Sequence, residues 1–235
     1  DDHFYGTCGN EASNQVFFDG QNRYLAGTSD AVYNLPVYII KTDTAGNVIW
    51  CKGFPPIGNV MQIISIAPDR LMILLDGPNS GSGLLTIDTA GNPIRYKGFQ
   101  AGFHAYLLKN YFNSVVVSGN DFNNTNAAQP PFLAILDTAS NWLYGKYFIF
   151  SNSSYNYITG FVVNADSSIY CTGGGGLNQC TFFKADASLT PGPFKSILIQ
   201  NEEAYSIFHA PGNQYLIAGG CQTDNALTLT KINSA

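Results

Sequence analysis

The sequence predicts an all-β protein assembled from repeated four-stranded units, and three observations predict it. First, "KTDTAGNVIWCKGF" (Lys41–Phe54) returns 45 residues later as "TIDTAGNPIRYKGF" (Thr86–Phe99). Second, each copy follows another strand–turn–strand element that ends in glycine. Third, the chain holds 24 Gly, 16 Phe and 14 Tyr, a composition of turn residues and β-formers, and few segments have the spacing of an amphipathic helix.

The repeated phrase reads as strand, tight turn, strand. Apolar β-formers flank Asp-Thr-Ala-Gly-Asn. The Asp bonds the backbone just ahead of it, and Gly takes the left-handed position that closes the hairpin. Weaker copies follow in "FLAILDTASNWLYGKYF" (Phe132–Phe148), with Ser140 where Gly stood, and "TFFKADASLTPGPFKSI" (Thr181–Ile197), where Pro191-Gly192-Pro193 reads as a lengthened turn. "LTLTKINSA" carries Asn233 in the Asp place. The anchors Asp43, Asp88, Asp137, Asp186 and Asn233 are 45, 49, 49 and 47 residues apart. The preceding elements, such as "QVFFDGQNRYLAGT" and "YSIFHAPGNQYLIAGG", end at Gly27, Gly77, Gly119, Gly173 and Gly219.

Four strands in each unit of about 47 residues is the signature of a propeller blade. The expected architecture is one domain over residues 1–235, a five-bladed β-propeller of antiparallel blades at 13–54, 59–99, 103–148, 155–199 and 204–235. The last unit lacks a fourth strand. "HFYGTCG" (His3–Gly9) matches "VIWCKGF" in character and is expected to close the last blade as its outer strand. A stack of hairpins in a solenoid or sandwich leaves that complement unexplained.

"YLAGT" (Tyr24–Thr28) and "VYIIKTDTAGNVIWCKGF" (Val37–Phe54) resemble the Asp-x-x-Gly-Asn-x-x-Trp repeats of secreted bacterial β-propeller proteins. Gly83–Phe99 follows the same pattern, while later units depart from it: Trp142 stands directly after Asn141. The resemblance spans nearly the whole chain and implies a propeller fold and export. It carries no catalytic residues. Period and blade number are also similar to those of five-bladed tachylectin-type lectins, although their Trp-Asn-rich sugar-pocket repeats are missing.

Charged residues make up 11% of the chain, against roughly 25% in an average soluble domain, and the net charge is -5. A nucleic-acid partner needs a basic footprint, so none is expected. No apolar run reaches the roughly 18 residues of a membrane span. The acidic, polar start "DDHFYGTCGN" has no signal-peptide pattern, so an exported protein would carry it as the mature chain. The expected location is extracellular or on a cell surface. The expected partner is a further copy of the chain, in an oligomer or filament, or a cell-surface glycan or protein.

The five cysteines contain no CxxC pair, so no zinc site is expected. Cys171 and Cys180, ends of neighbouring strands, are candidates for a disulfide, and so are Cys8 and Cys221. Asn123 and Asn152 head sequons and are glycosylation candidates. Seven of the 16 carboxylates read as turn caps: Asp43, Asp88, Asp137 and Asp186 in the outer hairpins, and Asp19, Asp69 and Asp166 between first and second strands. The opposite loop face holds Glu11, Asp30, Asp76, Asp121, Glu202, Glu203 and Asp224, of which Asp30, Asp76, Asp121 and Asp224 are the candidate ligand-binding residues. A propeller glycosidase needs paired acids on the innermost strands, and "QVFF", "QIISI", "AYLLK", "ITGFVV" and "YSIFH" contain none. His3, His104 and His209 fall in separate contexts, which argues against a shared metal. No cofactor and no catalytic residue is expected. Trp50, Tyr96, Trp142, Tyr144 and Tyr147 lie on outer strands, where packing between blades accounts for most of them. The expected function is a non-catalytic structural or surface interaction module. A carbohydrate-binding propeller is the alternative, and a propeller glycosidase a second one.

Overall fold

The computed structural model describes residues 11–29, 37–55, 58–77, 81–123, 129–148, 156–175, 180–197, 202–212, 214–221 and 227–233. Among these residues the structure is all-β, in five antiparallel sheets whose strands follow chain order. The first sheet holds β1 (Glu11–Phe18), β2 (Arg23–Ser29), β3 (Val37–Thr42) and β4 (Val48–Phe54). The second holds β5 (Asn59–Ala67), β6 (Arg70–Gly77), β7 (Gly81–Asp88) and β8 (Pro93–Gly98). The third holds β9 (Phe103–Tyr111), β10 (Ser114–Asp121), β11 (Pro131–Asp137) and β12 (Trp142–Tyr147). The fourth holds β13 (Asn156–Val163), β14 (Ile169–Gly175), β15 (Cys180–Ala185) and the short β16 (Lys195–Ile197). The fifth holds β17 (Glu202–Ala210), β18 (Gln214–Cys221) and β19 (Leu227–Asn233). His3–Gly9, expected to join β19, lies outside the described residues.

Two compact units divide the chain: residues 1–110 with 138–140, and residues 111–137 with 141–235. In the first unit, Tyr24, Ile39 and Phe54 of the first sheet share one buried cluster with Val60, Ile73 and Leu85 of the second. The middle strands β6 and β7 are buried along almost their whole length, on both faces. Both faces are therefore covered, and their residues read as apolar runs instead of a period-two alternation. In the second unit, Tyr170 and Phe182 pack against Ile207, Tyr215 and Ile217 of the fifth sheet, with the Tyr170 and Tyr215 rings stacked at 4.3 Å.

Two irregularities recur. In four sheets the first strand carries a bulge near its start, between Ser13 and Gln15, Val60 and Gln62, Ile158 and Gly160, and Ala204 and Ser206. Such an extra residue bends the strand and raises its twist. In β4, β8 and β12 a second bulge follows the hairpin turn. Lys41 faces Trp50 but Thr42 faces Val48, so Ile49 has no cross-strand partner. Ile94 and Leu143 occupy the same place in their sheets.

The strands reach further than the sequence patterns indicated. β1 begins at Glu11 and β17 at Glu202 and Glu203, so these acids head first strands instead of lying in loops. The lengthened turn at Pro191-Gly192-Pro193 is also corrected. Asp186 N donates to Thr190 O at 3.0 Å, as Asp43 N does to Asn47 O, and Ala185 bridges to Pro191 where Thr42 pairs with Val48. The turn keeps its length. Proline lacks the N–H of a ladder residue, and regular pairing resumes only at Lys195.

Candidate functional site

Four outer-hairpin turns share one construction. Asp43 accepts bonds from Asn47 N and Asn47 Nδ2, both at 2.8 Å. Asp88 holds Asn92 at 2.7 and 2.9 Å, and Asp137 holds Asn141 at 2.7 and 2.8 Å. Asp186 accepts from Ser188 N, Ser188 Oγ and Thr190 N. These bonds favour the ionised form. The Asn47 side chain and then its backbone lower the Asp43 pKa. The Asn92 backbone and then its side chain lower that of Asp88, and the Ser188 hydroxyl and the Thr190 backbone that of Asp186. Asp19 and Asp166 cap turns between first and second strands through Asn22 and Ser168. The turn-capping reading of these carboxylates agrees with the structure.

A lateral latch accompanies the turns. Trp50 Nε1 and Lys41 Nζ donate to Thr89 O at 3.2 and 3.1 Å, and Lys52 Nζ donates to Ala90 O at 2.8 Å. The outer hairpin of the first sheet, β3 and β4, thus grips the Asp88 turn of the second. In the other unit Tyr144 donates to Ala187 O and Lys146 Nζ to Thr190 Oγ1 at 2.7 Å, so the third sheet grips the Asp186 turn of the fourth. Trp50 and Tyr144 each stand seven residues after their turn Asp. Lys52 and Lys146 stand nine after it, as do Lys97 and Lys195. The recurring lysine was a signal available in the sequence. Gly91 adopts φ 79°, where a side chain is strained, and a Cβ there would also crowd Lys52 Cδ at 2.9 Å and the Trp50 ring at 3.1 Å.

Of the candidate ligand-binding residues, Asp30 and Asp224 lie outside the described residues. Asp76 ends β6 and pins three strands together. Its Oδ1 lies 2.9 Å from His104 Nδ1 and accepts from Ser82 Oγ at 2.6 Å, while Ser82 Oγ accepts from Ala105 N at 2.6 Å. Asp, His and Ser therefore meet, but Ser82 is buried and its hydroxyl is directed at the carboxylate. A nucleophile relay needs the hydroxyl on the imidazole. Burial, helped by the Asp76 charge, pushes Tyr106 up to about 12. Asp121 is buried and accepts from Asn123 N at 2.9 Å and Tyr147 OH at 2.8 Å. Burial, and then this bond, pushes Tyr147 up to about 12. Asn123 is exposed, and Asn152 lies outside the described residues. Among the described residues no three His, Cys, Asp or Glu side chains converge as metal ligands.

The Cys171–Cys180 disulfide is corrected. Cys171 carries a thiol and faces Phe183 across the ladder, whereas Cys180 faces Gly174, three positions along. Three residues at about 3.4 Å each separate the two strand positions by more than an S–S bond can span. Cys8 lies outside the described residues, so its pairing with Cys221 does too. Cys51 is an exposed thiol.

The outer-strand aromatics also differ from expectation. Trp50 packs against the core, but Tyr96, Trp142, Tyr144 and Tyr147 are all exposed. So are Val48, Ile49, Ile94 and Leu143 beside them on β4, β8 and β12, the last three at 52% each. A groove of about 430 Å³ lies on the fourth sheet, lined by Tyr170, Phe182, Lys184, Asp186 and Thr190–Pro193 among others.

No protein-family model matches the chain, and no curated protein matches it. Solved structures do. The β-propeller domain of the Trilobed protease from Pyrococcus furiosus, described as having an open velcro topology, superposes with a TM-score of 0.59 at 10% identity, over 95% of this chain and 69% of that one. A protein of unknown function from Bacteroides caccae gives 0.57 at 10% identity, over 91% and 73%. The Synechocystis apocarotenoid oxygenase gives 0.54 at 12% identity, over 91% of this chain but only 56% of its own length. At such identities the likeness concerns the fold alone: the chain is all-β, built of antiparallel sheets, and propeller-like.

Proposed function

We propose that the chain is an exported, non-catalytic β-propeller that works by contact, chiefly with further copies of itself. In this reading the five sheets are the blades of one ring, and His3–Gly9 completes the fifth. The observation that carries it is the apolar character of the exposed outer strands. Edge strands of soluble proteins are usually guarded by charge. Here the bulged positions, which project from the sheet, are Ile49, Ile94 and Leu143. Each is exposed beside an exposed aromatic or aliphatic neighbour on its own strand, and exposed apolar clusters favour contact with a partner. The non-catalytic part of the reading is supported by Asp19, Asp43, Asp88, Asp137, Asp166 and Asp186, which are taken up in turn caps, and by Asp76 and Asp121, which are taken up by neighbouring side chains and backbone. Export is supported by the low charge content and the two sequons.

The test is light scattering across a concentration series, with images of the same samples. The expected result is concentration-dependent oligomers or filaments. The triple variant Ile49→Lys, Ile94→Lys, Leu143→Lys should return single copies with an unchanged circular dichroism spectrum, because these side chains already face water. Wild-type protein that stays a single copy at every concentration defeats the proposal.

A further inference from the structure

The internal repeat supplies a template for the groove on the fourth sheet. In the first sheet Lys41 faces Trp50 across the ladder, on the same side as Tyr24. The Trp50 ring packs edge-on against Tyr24 at 6.2 Å, and the Lys41 ammonium sits 5.4 Å from the Tyr24 ring centre. The fourth sheet repeats the floor of this arrangement. Tyr170 stands where Tyr24 does, Lys184 faces it, and the Lys184 ammonium lies 5.3 Å from its ring. Phe182 packs beside Tyr170 at 5.5 Å. What changes is the cover. Seven residues after the turn Asp stands Pro193 in place of Trp50, with Gly192 in place of Ile49. A proline ring is smaller than an indole, and the groove of about 430 Å³ lies where the larger ring would sit. That volume falls within the roughly 300–1,000 Å³ of small-ligand pockets.

We infer that this groove is a binding site for a small planar aromatic ligand of indole size, which takes over Tyr170 the place Trp50 takes over Tyr24. The floor is apolar and aromatic, so offset or edge-on ring packing holds the ligand. Lys184 and Asp186 line it with charge, and Lys184 Nζ is paired with Asp166 Oδ2 at 3.4 Å. A ligand ring with one polar edge fits better than a purely aliphatic one. The site does not depend on self-association, because every lining residue comes from one sheet of one chain.

The experiment uses free indole as the probe and the whole chain, at a concentration where scattering reports single copies. In ¹H–¹⁵N spectra, indole should cause saturable shifts confined to Thr181–Phe194 and the neighbourhood of Tyr170, with half-saturation in the millimolar range or tighter. Methyl glucoside should cause none there. In Pro193→Trp the chain's own indole should fill the groove, emit at shorter wavelength than an exposed Trp, and abolish the indole shifts. Three results overturn the inference: no saturable shifts with indole, shifts located elsewhere, or a stronger response at these residues to the glucoside. Shifts at these residues that grow with protein concentration alone also overturn it, since a second copy then occupies the groove. The wild-type spectra decide the matter even if Pro193→Trp fails to fold.

Discussion

Three residues after each turn Asp the backbone is left-handed: φ is 89° at Gly46, 79° at Gly91, 62° at Ser140 and 58° at Leu189. A side chain in this region costs about 1–2 kcal/mol. Ser140 carries a second burden, for its hydroxyl is buried without a hydrogen-bond partner, a defect of about 1–3 kcal/mol. Against these stands the extra chain entropy that glycine loses on folding, roughly 0.5–1 kcal/mol. Ser140→Gly should therefore stabilise the protein by about 1–2 kcal/mol, read as a shift in the denaturant midpoint at unchanged slope. A lower midpoint would contradict this account. Leu189→Gly should show no such gain, because Leu189 is fully buried and its burial contributes about 1.5–3 kcal/mol. The departure at Ser140 was legible in the sequence. Its strained conformation was not, because only packing holds a serine there.

At the scale of the element, the turns make the protein sensitive to acid. Folding lowers the carboxyl pKa of Asp43, Asp88 and Asp186. The ionised form is thus bound more firmly in the folded chain than in the unfolded one. The associated stability is fully present above the ordinary carboxylate value of about 4 and is lost as pH falls through the lowered values. Melting temperature should be flat from pH 7 to about 5 and fall below about 4. The triple variant Asp43→Asn, Asp88→Asn, Asp186→Asn should melt lower at neutral pH and show a shallower acid limb. An unchanged acid limb would remove these turns from the account. The hairpins were legible because their chemistry is local: Asp, Gly and Asn act within five residues. The latch was not, since Lys52 finds its acceptor Ala90 in the next repeat. The Cys171–Cys180 pairing failed for a related reason. Closeness along the chain says nothing about register, and the register sets the two positions three residues apart along the ladder.

At the scale of the whole molecule, the periodicity of the anchors made the all-β, propeller-like fold readable where identity to known structures is only 10–12%. The candidate site was less readable. Asp76 and Asp121, expected in the loop face, lie within β6 and β10 and are taken up by Ser82, His104, Asn123 and Tyr147. The groove arises from a ring that Pro193 omits, and a missing side chain shows only against its counterpart Trp50. If His3–Gly9 closes the fifth sheet as proposed, β19 is the strand it covers. Removing residues 1–9 should then lower the melting temperature and broaden the transition, whereas wild-type melting in the truncated chain would rule the closure out. The latch has one more consequence. Both grips described point the same way, from one sheet to the turn of its successor, so within each pair injury runs upstream. Damage at Asp88 unseats Trp50 and Lys52 behind it, while loss of Trp50 leaves the Asp88 turn shut by its own Asn92. Within each such pair a lesion in the gripping strand is tolerated better than one in the gripped turn.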